Sequence, residues 1–283
     1  MNLQKQLEDF IKFLKSQSKA SATVIAYTKD ISQVIAYLEK EQKTSWEQAT
    51  TVDLQGFLTG LAGTGYTPKS VSRKINSIKT FFRFLVTQKI VNNNASTAIV
   101  HPKFDTKTPR ILSGIEYRAL RDACREDVRI SAVVELLLQT GMRIGELASL
   151  TTDSIKIDSI VIPPVENHTE REVPLNHAVK AALEVYLAQR PKIKSSALFI
   201  TKTGRPFLIR NIRTSIDRYF KLAGIKDAKV NDLRHTFIAY HLASGASPVL
   251  IAKLAGHKRI STTEKYLEYI KDLPVEKVKL EEL

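Results

Sequence analysis

Apolar positions recur at helical spacing along the first hundred residues. Leu3, Leu7, Phe10, Ile11 and Leu14 form one stripe, and Val24, Tyr27, Ile31, Val34, Ile35 and Leu38 a second. Val52, Leu54, Phe57, Leu58 and Leu61 form a third. Thr67-Pro68 opens a fourth helix, with a capping hydroxyl before a proline whose missing N–H is harmless in the first turn. Its apolar side is Val71, Ile75, Ile78, Phe81, Phe82 and Leu85, with Arg73, Lys74, Lys79 and Arg83 assigned to the polar side. The pattern then lapses over 91–110, a polar stretch with two prolines that reads as a linker.

Beyond it, Ser113-Gly114-Ile115-Glu116 is a capping-box pattern, and the apolar run ISAVVELLLQT predicts a buried helix ended by Gly141. Alternation changes to a strand period in IKIDSIVI and REVPL, two strands expected to pair across PPVENHTE, with LFIT at 198–201 as a possible third. Helices resume over 176–188 and 208–222, and from Asn231 onward, with further starts at Ser247-Pro248 and Ser261. The expectation is a mainly α protein with a small antiparallel β-sheet in its second half. It divides into a helical domain at 1–90, a linker at 91–110 and a second domain at 111–283.

Composition adds one functional clue. The net charge is +14. Residues 1–109 hold 15 Lys/Arg against 8 Asp/Glu, and the remainder 28 against 21, so both halves are equally basic. Two basic domains suit a polyanion held between them, although a basic protein with solvated faces has the same balance. No apolar run is long enough to span a membrane, and the acidic start around Glu8 and Asp9 is unlike a signal peptide, so a cytoplasmic location is expected. The single Cys124 reads as a small core residue, and the six histidines show no metal-ligand spacing. No metal or cofactor is expected.

Four segments carry chemistry: TGMRIGEL at 140–147, DLRHTF at 232–237, LAGH at 254–257 and STTEKY at 261–266. Each residue alone is unremarkable, since an arginine after a helix end is usually a solvated charge. Together and in this order they resemble the tyrosine recombinases, or phage-type integrases, and the size and two-domain plan look most like the Xer recombinases. The resemblance implies a two-domain DNA clamp: an N-terminal helical, SAM-like core-binding domain plus a catalytic domain. It implies that Arg143 and Arg234 clamp the scissile phosphate, that His257 hydrogen-bonds the phosphate or assists the nucleophile, and that Tyr266 attacks. Arginine suits the first role because its planar fork pairs with two phosphate oxygens. A tyrosine nucleophile keeps the bond energy in a phosphotyrosine link, so neither ATP nor a metal is required. Glu146 resembles the acid that supports the first arginine. His235 is expected to be structural, bonding to backbone, and Tyr269 to pack on the body of the protein or on a neighbour.

Two positions depart from the family pattern. Aligning on Arg171-Glu172-Val173-Pro174-Leu175 puts Glu166 where the family has a hairpin lysine that protonates the leaving 5′ oxygen. Asn231 stands three residues before Arg234, where histidine is usual; its amide can bond phosphate but cannot transfer a proton. His168, in the same hairpin turn, is the leading substitute acid, ahead of Lys156 and Lys202. Asn231 and His168 are therefore tentative catalytic residues, and Arg73, Lys74 and Lys79 are expected to touch DNA phosphates. The implied activity is site-specific cleavage and rejoining of duplex DNA through a 3′-phosphotyrosyl intermediate. The implied assembly is a tetramer on two DNA sites, of this chain alone or with a paralogue, nucleoid-associated, with the segment after Tyr266 packed on a neighbouring subunit. The rival readings are a degenerate, non-catalytic DNA-binding relative and a tyrosine-based topoisomerase.

Overall fold

The computed structural model describes residues 3–105, 108–165 and 168–271. Contacts divide the chain into two compact units, 1–106 and 107–283.

In the first unit, α1 (Leu3–Ser16), α2 (Ser21–Lys40), α3 (Thr51–Gly63) and α4 (Pro68–Thr87) follow the four apolar stripes. Thr67 caps α4 by accepting the Ser70 N–H. Trp46, on a short 3₁₀ turn, is buried edge-on against Phe81 and donates its indole N–H to the Leu3 carbonyl at 3.1 Å. An edge-to-face pair of Phe10 with Phe81 and a tilted pair of Phe10 with Phe84 tie α1 to α4.

Two expectations for this unit need correction. The stretch from 91 is not a free linker: Val91 and Ile99 are buried in the first core, the Thr51 hydroxyl donates to the Ala95 carbonyl at 2.8 Å, and Ser72 and His101 are hydrogen-bonded at 2.9 Å. Two well-spaced apolar residues suffice to dock an otherwise polar segment. Lys74 is not on the exposed polar side of α4. It is 2% exposed, and its ammonium donates to Asp30 at 2.8 Å and to Gln33 at 2.5 Å. Arg73 grips both oxygens of the same Asp30, the second at 2.9 Å, and Ser77 donates to it at 3.0 Å. A buried carboxylate needs paired cations, so both bind it, Lys74 from inside the unit and Arg73 with 46% of its side chain exposed. Lys79 is half-buried, with no carboxylate against it among the described residues.

The second unit opens with α5 (Gly114–Cys124), capped by the expected Ser113–Glu116 box, and α6 (Val128–Thr140), buried almost all round. Cys124 is 1% exposed and its thiol is pushed up to about 11 by burial, an inert core position. The short α7 (Ile144–Ser149) follows. Two antiparallel strands, β1 (Ser159–Ile162) and β2 (Arg171–Pro174), pair in the register Ile160↔Val173. Residues 155–158 do not extend β1 as expected; Ile155 bridges back to Ile160 in a tight turn. The segment 198–201 contributes only isolated bridges, such as Ile200↔Pro206, not a third strand. The remaining helices are α8 (His177–Gln189), α9 (Ile209–Leu222), α10 (Val230–Ala243), α11 (Pro248–Ala255) and α12 (Ser261–Tyr269). Among the described residues, no helix is long and apolar enough to cross a membrane. Of the segment after Tyr266 expected to pack on a neighbour, residues 272–283 lie outside the described residues.

Candidate active site

The end of α6 sets up the first arginine. Gly141 takes a left-handed conformation, φ +61°, and a Cβ there would meet the Phe237 ring at 2.2 Å. Only glycine meets both conditions, and it turns the chain so that Arg143 caps α7. The Arg143 backbone N–H donates to Glu146 at 2.8 Å, and its Nη1 donates to the same carboxylate at 2.9 Å.

The carbonyls at the end of α11 gather the cations. Gly256, left-handed at φ +68°, closes that helix and leaves its last carbonyls without helical partners. Arg171 Nε donates to the Leu254 carbonyl at 2.7 Å. The Ala255 carbonyl accepts from Arg234 Nη1 at 2.7 Å and from Arg143 Nη1 at 3.4 Å, while Gly256 accepts from Arg143 Nη2 at 3.1 Å. Arg143 and Arg234 therefore share one anchor although 91 residues separate them in the chain. The negative end of the helix dipole and the buried Glu146 offset their mutual repulsion.

Electrostatics is strained toward an anion. Arg234 is 5% exposed, and burial followed by the field of Arg143 lowers its pKa to about 9, so it is still charged at neutral pH. Among the described residues its Nη2 has no hydrogen-bond partner. A buried guanidinium nitrogen left open in this way has capacity for an oxyanion. Burial raises the Glu146 carboxyl, but hydrogen bonds from Arg171 and from the Arg143 backbone N–H outweigh it and hold the pKa at about 2. Arg171 grips Glu146 at 3.0 and 2.7 Å. It is a positioning residue that sequence reasoning used only as an alignment anchor; its place on an alternating strand gave no sign of this.

His257 follows Gly256 directly. Its Nδ1 is hydrogen-bonded to Thr263 Oγ1 at 2.7 Å, a partner not foreseen, and burial with the nearby Arg234 and Arg143 lowers its pKa to about 4. His168 lines a cavity of about 430 Å³ with Arg171, His257 and Lys258. Burial and Arg143 lower its pKa as well. Lys156 and Lys202 are absent from that lining, whereas Lys258, overlooked in the sequence, is part of it. Glu166 lies outside the described residues.

Tyr266 is on α12, 6% exposed, and burial raises its pKa. Its hydroxyl meets His235 Nδ1 at 2.5 Å. His235 Nε2 in turn meets the Asn231 amide at 2.9 Å. This corrects the expectation for His235, whose two nitrogens are bonded to side chains and not to backbone; facing positions on α10 and α12 set those partners. Tyr269 is half-buried and packs on the second core, its ring edge-on to Tyr266 at 5.9 Å. Among the described residues, no three His, Cys, Asp or Glu side chains are grouped to hold a metal.

Residues 110–271 match the phage integrase family, and residues 7–89 match the phage integrase N-terminal SAM-like domain. The chain belongs to the phage integrase family. Among curated relatives, tyrosine recombinase XerD of Oceanobacillus iheyensis is 32% identical over 282 residues, covering 95% of each chain. Tyrosine recombinase XerC of Roseiflexus castenholzii is 29% identical, covering 93% of this chain and 88% of its own. A lambda integrase tetramer bound to a Holliday junction superposes with a TM-score of 0.76 at 18% identity, over 92% of this chain and 79% of that one. The family, the Xer likeness and the mainly α fold with its small sheet agree with the reading of the sequence. The protein is a tyrosine-type, site-specific DNA recombinase.

Proposed function

We propose that this recombinase cleaves and rejoins duplex DNA at a specific site with Tyr266 as nucleophile. Arg143 and Arg234 hold the scissile phosphate and offset charge developing on its non-bridging oxygens. His257 donates a hydrogen bond to the same phosphate. Attack of the Tyr266 oxygen on phosphorus releases a 5′ hydroxyl and leaves a 3′-phosphotyrosyl link. The 5′ hydroxyl of a partner strand then attacks that link and restores the tyrosine. The observation that carries the reading is the shared anchor of the two guanidiniums on Ala255, with Arg234 Nη2 buried and open beside it.

In this reading residues 1–90 form the core-binding domain, 111–283 the catalytic domain, and Lys79 contacts a DNA phosphate. His168 supplies the leaving-group proton in place of the hairpin lysine. The working assembly is a tetramer on two DNA sites, made of this chain or shared with a paralogue, by analogy with the integrase tetramer and the XerC and XerD relatives. The likeness to those relatives also supports a cytoplasmic location, with the protein associated with the nucleoid. No cofactor enters the mechanism.

Trapping on a nicked suicide substrate tests it. The wild-type protein should give a covalent protein–DNA band on a denaturing gel, and Tyr266→Phe should give none. DNA binding without any covalent band from the wild type would support the non-catalytic alternative.

A further inference from the structure

Among the described residues Tyr266 has one hydrogen-bond partner, the imidazole of His235, and the pair joins α12 to α10 across 31 residues of chain. A phenol buried to this extent needs an acceptor for its proton. His235 Nδ1 lies within reach at 2.5 Å, and when the phenol donates to it Nδ1 is the unprotonated nitrogen. In a neutral imidazole the proton is then on Nε2, which lies 2.9 Å from the amide nitrogen of Asn231, so the amide must turn over to accept it. An amide presents either its nitrogen or its oxygen at that place by a half-turn. With oxygen inward it accepts Nε2–H and fixes the tautomer. His257 is not available to the phenol through its Nδ1, which is bonded to Thr263.

We infer that His235 is the proton acceptor for Tyr266 during cleavage, with Asn231 as the positioning residue that holds its tautomer. This rests on the reading of Tyr266 as nucleophile. As the Tyr266 oxygen bonds to phosphorus, its proton passes to His235 Nδ1 and gives an imidazolium, whose Nε2–H is held by the turned Asn231 amide. The bond from phosphorus to the 5′ oxygen breaks, and that oxygen takes its proton from the separate acid, His168 in the scheme above. On rejoining, the imidazolium returns its proton to the departing phenolate. Asn231, which stands in place of the family's histidine and cannot itself move a proton, thus orients a base one helical turn further along α10.

The setting suits a base. Burial lowers the His235 pKa, Arg234 lowers it further and Asp232 opposes them, so the ring is neutral near pH 7. The groups facing it are Asn231, Asp232 and Arg234 on its own helix, Tyr266 on α12, and His257 after α11.

Single-turnover cleavage of the suicide substrate across pH 6–10 separates a base from a packing residue. Wild-type cleavage itself should fall from pH 7 to 9, because the protonated fraction of His168 shrinks and Arg234 begins to lose its charge, so the variant is read as a ratio to wild type at each pH. His235→Gln, which keeps a hydrogen-bonding amide but cannot accept a proton, should be slowed about 100-fold or more at pH 7. That deficit should shrink about tenfold per pH unit as hydroxide takes over the deprotonation. A variant within about threefold of wild type at pH 7, or one slowed by the same factor at every pH, would overturn the inference. A second measurement does not depend on the variant folding. Nitrogen NMR of histidine-labelled wild-type protein should show His235 protonated on Nε2 and bare on Nδ1, a pattern that Asn231→Ala should disturb. Finding the proton on Nδ1 would overturn it equally. Loss of the covalent band in Tyr266→Phe, alongside unimpaired His235→Gln, would sink the base and leave the nucleophile standing; a persisting band in Tyr266→Phe would sink both.

Discussion

Replacing Glu146 by glutamine should unsettle the arginine site and the fold together, in a pH-dependent way. The carboxylate is 1% exposed and accepts from Arg143 Nη1, the Arg143 backbone N–H and both Arg171 terminal nitrogens. Its pKa falls from an ordinary 4.5 to about 2. At about 1.4 kcal/mol per unit, that depression corresponds to roughly 3 kcal/mol of stability at neutral pH. A depressed carboxylate gives its full contribution above the unfolded value near 4.5 and loses it as pH falls toward 2. By linkage about half should remain at pH 3. Glutamine keeps the shape, but its amide hydrogens face a guanidinium and two cations lose their counter-charge, a loss of about 3–5 kcal/mol for a broken buried pair. For a unit of this size the midpoint of thermal unfolding should drop by about 6–15 °C at pH 7. Calorimetry of both proteins from pH 7 to pH 3 reads the difference directly. It should narrow with acidity, and the variant should also trap DNA far more slowly than wild type. A difference under about 2 °C at pH 7, or one that is unchanged at pH 3, would refute the reasoning.

Four further outcomes follow from particular residues. Asp30→Ala strands Lys74 as an unpaired buried ammonium and should destabilise the first unit by about 3–5 kcal/mol, more than Lys74→Met does, as read by urea unfolding. In the same series Lys74→Met should leave the salt dependence of DNA binding unchanged, whereas Lys79→Ala should reduce its slope by about one; equal effects would place both on DNA. Gly141→Ala forces a left-handed alanine against the Phe237 ring and should lower stability by about 2 kcal/mol or more, with a parallel loss of trapping; an unfolding midpoint within a degree of wild type would contradict the contact. His168→Ala should cleave ordinary DNA slowly yet recover on a substrate with a 5′-bridging sulfur, which needs no proton to leave; equal slowness on both substrates excludes it as the acid.

Much of the fold was legible because helices with one buried stripe announce themselves every three or four residues. The four helices of the first unit, the capped starts at Thr67 and Ser113, and the stop at Gly141 were all readable in this way. Lys74 shows how the reading went wrong. It lies three residues after Val71 and four before Ile78, squarely on the buried stripe, but its charge argued for solvent. Asp30, which makes burial tolerable, lies on another helix and 44 residues away. The chain around 155–158 illustrates the converse, since strand-like residues there form a turn once Ile155 bridges back to Ile160.

The motifs around Arg143, Arg234, His257 and Tyr266 were determined by the sequence alone, because each is a local pattern of residue types at fixed spacing. What joins them was not. Ala255 holds two arginines through a backbone carbonyl, and any residue supplies that group, so no side-chain pattern records it. Arg171 reaches Glu146, and His235 reaches Tyr266, only because α7, β2, α10 and α12 come together in one packed unit. The sequence therefore picked out the residues proposed to react, while the tertiary structure alone decided their hydrogen-bond partners, because those come from elements far apart in the chain.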